Sequence, residues 1–237
     1  MIKVPISPSN LKMFRSCPRL YQARYLTKEV EPKTSAAMAR GTKLHELMEQ
    51  AVLHGWDSIN WPEEKNKEYA KGFVATVHKL RDAGWSYQTE LSVATDGLGG
   101  VTGWSDPAPD NFLRSRIDLY ATHPDKDYAI IIDWKSGKPW DDALQLHINA
   151  FCLQPILQMN KYYVIFAYID LGLTRDYWVN LDTDKPATVK PEQTSLRETI
   201  QVIRDLQAAY EKDKWPPRSG MECKWCQLES CIYKQYT

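Results

Sequence analysis

The chain has 237 residues, 43% hydrophobic and 25% charged, values of an ordinary globular domain that exclude global disorder. Thirty basic residues balance thirty acidic ones, so no overall charge draws the protein to nucleic acid, and any such contact has to come from a local patch. The opening MIKVPISPSN has no apolar signal core and the longest apolar run, YYVIFAYI at 162–169, is too short to cross a bilayer, so a cytoplasmic setting without a membrane partner is expected.

The predicted elements begin with a short helix over SPSNLKMFRSCP, capped by Ser7, entered at Pro8 and closed by Pro18 just after Cys17. Residues 41–55 place Leu44, Leu47, Met48, Ala51 and Val52 on one helical stripe, with Gly55 as a stop. A third helix is predicted from about Glu63 to Ala83, and LSVAT at 91–95 reads as a possible strand. Residues 96–111, rich in Gly, Pro and Asp, read as a loop. FLRSRIDLY and YAIIIDW then form a strand pair across the turn THPDKD. Helical spacing returns over 141–158, capped by Asp141 or Asp142. Two more strands follow, KYYVIFAYID and TRDYWVNL, and then an amphipathic helix over 194–213 opened by Thr194 or Ser195. Helices around a small mixed sheet give an α/β or α+β domain.

The strand pair carries the chemistry. Asp118 and Asp133 stand in runs that otherwise look buried, and Lys135, two places after Asp133, projects from the same strand face. Unpaired charges there are costly, so these groups have partners: each other, a metal, or both. A lone D-x-K is most simply a structural ion pair; with a second acid it offers a hard-cation site for Mg²⁺ or Mn²⁺, with an ammonium beside the attacking water. Asp118 lies near the end of one strand and Asp133 near the end of the next, so their convergence is expected to need a bend or a bulge.

Asp118 followed by Asp133-Trp134-Lys135 resembles the PD-(D/E)XK nucleases, in the branch of the RecB nuclease domain. Gly41-Thr42-Lys43-Leu44-His45 is similar to the GxxxH motif on an upstream helix of that branch, and Gln145-Leu146 to the Gln-containing helix after the lysine. The resemblance implies a restriction-endonuclease-like core and a metal-dependent DNA exonuclease. His45, Asp118, Asp133 and the Trp134 carbonyl would then hold Mg²⁺ or Mn²⁺, with Lys135 and Gln145 in the catalytic set. Glu49, one helical turn after His45, would either orient it or stand solvated, and Glu90, ahead of the strand at LSVAT, is a weaker candidate for the same site. Where the family pattern has a tyrosine four places after the glutamine, this chain has Asn149, with Phe151 nearby.

Cys223-Lys-Trp-Cys226 followed by Cys231 puts three thiols too close together for all of them to be core residues, and in a reduced compartment clustered thiols bind metal more often than they form disulfides. Cys152, apolar on both sides in AFCLQPIL, reads as a small buried hydrophobe, which leaves Cys17 as the fourth ligand. Four thiolates suit zinc or an iron–sulfur cluster equally. One N-terminal cysteine with a C-terminal triplet resembles the 4Fe–4S staple of AddB-type and CRISPR-associated RecB-family exonucleases, and the opening run SPSNLKMFRSCPRLYQARYL is similar to theirs. The resemblance implies a single nuclease domain over 1–237, with 1–30 and 215–237 joined at the cluster around a core at 41–180. It also implies DNA ends or single strands as substrate, in phage or prokaryotic recombination, repair or CRISPR-type defence. Arg15, Arg19, Arg24, Lys28, Lys43 and Lys138, with Tyr21, Tyr25, Trp134 and Trp140, are candidates for a strand-binding groove. The rival readings are a non-enzymatic nucleic-acid binder stapled by metal on the four cysteines and an endonuclease of the same fold.

Overall fold

A computed structural model of the chain describes residues 1–32, 34–140, 142–182, 196–220, 223–224 and 226–233. Its first helix, α1 (Pro8–Ser16), starts at a reciprocal cap: Ser7 Oγ accepts from the Asn10 backbone and Asn10 Oδ1 accepts from the Ser7 N–H. Cys17 leaves α1 in an extended conformation, and Pro18 opens the single turn α2 (Pro18–Tyr21), which widens into a π-type turn at Gln22–Leu26. The helix α3 (Ala36–His54) begins upstream of Gly41, from a Ser35 cap, and α4 (Glu64–Asp82) follows. The cap predicted at Thr194 or Ser195 lies outside the described residues, and α6 runs Leu196–Lys212. Among the described residues no helix is long and apolar enough to cross a membrane.

Six strands form one sheet in the order β2-β1-β3-β4-β5-β6. They are β1 (Ser86–Thr95), β2 (Val101–Thr102), β3 (Leu113–Thr122), β4 (Ala129–Lys135), β5 (Lys161–Tyr168) and β6 (Leu173–Asn180). All neighbours are antiparallel except β4 and β5, which are parallel and joined by the crossover helix α5 (Ala143–Leu157). Two sequence expectations fall short here. The strand expected at LSVAT starts five residues earlier, at Ser86, because the polar run SYQTE lies on the more exposed part of β1 and gives no apolar signal. The expected loop also contains the two-residue strand β2.

The sheet has a core on each side. Leu144, Ile148, Leu153, Val164, Phe166 and Leu206 belong to the layer built by α1, α5 and α6. Leu44, Met48, Val74, Leu119, Ile130, Ile132 and Trp134 belong to the layer under α3 and α4. The strand β4 is covered on both faces, which is why it reads as an unbroken apolar run ending in Asp133. In β3 the alternation breaks at one place: Ile117 packs in the first layer and Leu119 in the second, with Asp118 between them.

Candidate metal centre

Register brings the acids together. Thr89 pairs with Leu119 and Leu91 with Ile117, so Glu90 stands across from Asp118; Leu119 pairs with Ile132, so one step further Asp118 stands across from Asp133. Three carboxylates therefore form a row on β1, β3 and β4. The bend or bulge expected where Asp118 meets Asp133 has its counterpart here: the β3–β4 ladder stops at Leu119–Ile132, one step short of the two acids, and the alternation of β3 breaks at Asp118. Continuing the register one step past that last pair sets Asp118 across from Asp133. Like charges directly opposite on a sheet are destabilising unless a cation joins them. Glu90 also sits at φ +50°, a left-handed conformation that costs a non-glycine residue about 1–3 kcal/mol and tends to collect at functional sites.

The helix α3 adds the imidazole. His45 Nδ1 lies 3.3 Å from Asp118 Oδ2, which also accepts the Trp134 backbone N–H at 2.8 Å. One ligand atom each of His45, Glu90 and Asp118 lies within 4.8 Å of the others. Gly41 belongs to this placement rather than to the metal: a Cβ there would stand 3.1 Å from Ser136 Oγ, in the loop leaving β4. Beside it Arg40 binds Asp170 with two bonds of 2.7 and 2.6 Å, and Asp170 also accepts from Gly137 N and Asn66 Nδ2. The start of α3 is thus clamped to the exits of β4 and β5, which fixes the approach of His45.

Asp133, 2% exposed, is held by a fork. Gln145 Nε2 donates to Asp133 Oδ1 at 2.5 Å, and Gln145 Oε1 accepts from Lys135 Nζ at 2.7 Å. The ammonium lies 2.6 Å from Asp133 Oδ2 as an ion pair, so the buried Oδ2 has Lys135 as its partner. Burial pushes the Asp133 carboxyl up to about 6, with Lys135 opposing the shift and Asp118 adding to it. Glu90 is also raised, by burial first and then by Asp118 and Glu49. For His45, burial pulls downward, but the hydrogen bond and charge of Asp118 prevail and hold it above its ordinary value. Three crowded acids, of which Glu90 and Asp133 have raised affinity for protons, and a facing imidazole fit a hard divalent cation, with the nitrogen donor suiting Mn²⁺ as well as Mg²⁺.

Other predicted residues part from the site. Tyr21 is 0% and Trp134 1% exposed, so neither can stack a base; Tyr21 is stacked on Trp215 instead and Trp134 packs under α4. Arg19 is paired with Glu29, Lys43 with Glu46 and Arg15 with Asp142, while Arg24 donates to the Glu31 carbonyl. Trp140 is 63% exposed, with the Lys12 ammonium 5.5 Å from its ring centroid. Asn149 is buried, and its Oδ1 accepts from Ser115 Oγ, tying α5 to β3. The sequence reading ranked Glu90 low because it placed the residue ahead of a strand. The signal that finds it is the register sum across β1 and β3, which needs the strand start at Ser86.

Cys17, Cys223, Cys226 and Cys231 line one small cavity with Leu20, Arg218 and Leu228, and all four are free thiols. The Arg218 N–H points at Cys17 Sγ at 3.5 Å. Cys152 is elsewhere, fully buried in α5, and burial pushes its thiol up to about 12, which keeps it neutral.

The sequence model of the PD-(D/E)XK nuclease superfamily matches residues 5–231 of the chain. Among the solved structures that match is one described as "Crystal structure of SSO0001", with 16% identity, 98% of this chain and 88% of that chain covered, and a TM-score of 0.47. No curated protein matches.

Proposed function

The chain belongs to the PD-(D/E)XK nuclease superfamily, and from that premise we propose that it is a Mg²⁺- or Mn²⁺-dependent deoxyribonuclease acting as an exonuclease on DNA. The observation that supports the site is the gathering of His45, Glu90 and Asp118 ligand atoms within 4.8 Å of one another, in a row of acids that ends at buried Asp133 paired with Lys135. His45, Asp118, Asp133 and the Trp134 carbonyl would hold the cation, with Glu90 joining them through its place beside Asp118. When bound, the cation supplies charge that polarises a phosphodiester and lowers the pKa of a coordinated water. Lys135 Nζ, held by Gln145, keeps hydrogens free to orient that water or to stabilise charge developing on a phosphate oxygen. Gln145 holds both Asp133 and Lys135 in place by donating to one and accepting from the other.

The second cofactor in this reading is a 4Fe–4S cluster on Cys17, Cys223, Cys226 and Cys231. Four reduced thiols around one cavity, drawn from both ends of the chain, support it, and its role is structural. The deciding experiment is anaerobic purification followed by digestion of end-labelled and internally labelled DNA with Mg²⁺ or Mn²⁺. Release of mononucleotides or short products from ends is expected. Cuts only at internal positions would make it an endonuclease, and no metal-dependent cleavage would leave the binding-module reading. In the same assay Lys135→Ala should keep metal binding and slow cleavage by roughly 10²- to 10⁴-fold, the size expected for a placed proton-transfer or electrostatic group.

A further inference from the structure

We propose that a groove beside the metal centre carries a single DNA strand into it, gripped by Lys12, Arg114 and Arg116 and stacked on Trp104. The proposal rests on the nuclease reading and names the grip of that site. Only Leu119–Ala121 of β3 are laddered to β4, so the earlier part of β3 leaves an opening toward α1 and the first turn of α5. The opening is a groove of about 520 Å³. Gln145, which bonds both Asp133 and Lys135, is part of its wall, so the groove leads directly to the proposed reacting groups.

Three cations, Lys12, Arg114 and Arg116, line the groove against one acid, Asp142. That acid is already engaged: it caps α5 through Leu144 N, and it pairs with Lys12 at 3.3 Å and Arg15 at 3.6 Å. In a chain with zero net charge this is the kind of local positive patch that a polyanion requires. Trp104 stands in the same wall, with the Arg114 guanidinium 5.1 Å from its ring centroid. An aromatic beside backbone-binding cations suits a strand whose bases are unstacked, since a duplex keeps its base faces covered. Of the four aromatics named from sequence, Tyr21 and Trp134 are too buried to serve, whereas Trp140 is exposed with the groove's Lys12 over its ring.

The test is fluorescence anisotropy with labelled oligo(dT) and a blunt duplex of equal length, in EDTA so that nothing is cut. Wild type is expected to prefer the single strand. Trp104→Ala should weaken the single strand by about 10- to 100-fold, the loss of one stacked base. Arg116→Ala, at an exposed position, should lower the salt slope by roughly 0.7 for each phosphate that the side chain neutralises in wild type. Circular dichroism melts certify that each variant is folded. If wild type cleaves DNA while Trp104→Ala and Arg116→Ala bind and cleave unchanged, the groove assignment is overturned and the nuclease reading stands. Tighter binding of the duplex overturns the single-strand assignment. A wild type that neither binds nor cleaves DNA with either metal removes both.

Discussion

At the carboxylate centre, protein groups hold the side chains before any cation arrives. Asp118 accepts from Trp134 N, Asp133 is forked by Gln145 and Lys135, and His45 rides on a helix clamped through Arg40 and Asp170. At the cysteine cavity the described support is of another kind. Cys17 and the triplet come from opposite ends of the chain and meet over a small apolar cluster of Ala23, Val30 and Leu228. The described bonds across the junction come mainly from Arg218, to Cys17 Sγ and to the Arg15 carbonyl. A preorganised oxygen site stores repulsion that a cation would relieve, whereas in the proposed reading the thiol site would draw its order from the metal it binds. Removing metal should therefore have opposite consequences in the two places: loss of activity with the fold intact in one, loss of structure in the other.

The largest effect that tests this contrast is Asp133→Asn. It should reduce metal-dependent cleavage below detection and leave the circular dichroism spectrum unchanged. Added Mn²⁺ should raise the melting temperature of wild type, because it binds the folded state, and should fail to raise that of the variant. Wild-type cleavage by Asp133→Asn would remove the carboxylate from the site. The converse prediction is Cys17→Ser, which should strip the brown colour from anaerobic protein, lower solubility and expose the C-terminal segment to protease. Its folded fraction should keep the Mn²⁺ shift. Cys152→Ser should keep the colour, since that thiol sits in α5 away from the other four. Stoichiometric zinc in colourless wild type would replace the cluster with zinc and leave the contrast in place.

How much of this was legible in the sequence follows the same division. The strand pair, the four long helices and the lysine two places after Asp133 follow local periodicity, which is written in adjacent residues. The meeting of Asp118 and Asp133 was legible only as a pair needing a bend, a bulge or a diverging edge, and the ladder does stop one step short of them. Glu90 was hidden because its strand begins in polar residues and its left-handed backbone has no composition signal. The grip on a strand was misassigned to Tyr21 and Trp134, because burial of an aromatic depends on which layer covers it, and tertiary packing alone decides that. Arg40 and Asp170 lie 130 positions apart, and nothing local announces their pairing.

The smallest predicted effect asks whether the support beneath the carboxylate centre is independent of the cysteine junction. His147 lies two residues after Gln145 on α5, buried, with its Nδ1 2.7 Å from Thr199 Oγ1 on α6. Burial pulls its pKa down to about 4 from an ordinary 6.5, with the charge of Asp142 opposing the shift. The folded protein therefore keeps this imidazole neutral where the unfolded chain would already take a proton. Between pH 6.5 and 4 the unfolded state binds more protons, so stability is fully present above 6.5 and falls as the pH drops toward 4. The shift corresponds to a loss on the order of 3 kcal/mol across that window. Urea denaturation at several pH values should show His147→Gln with a flatter dependence than wild type over this range, the other carboxylates being common to both. The same difference should persist in a Cys17→Ser background, because α5 and α6 pack on the sheet without the thiols. An identical pH slope in wild type and variant would mean that His147 is protonated in the folded protein, and a difference that vanishes with Cys17→Ser would mean that the two regions share one support.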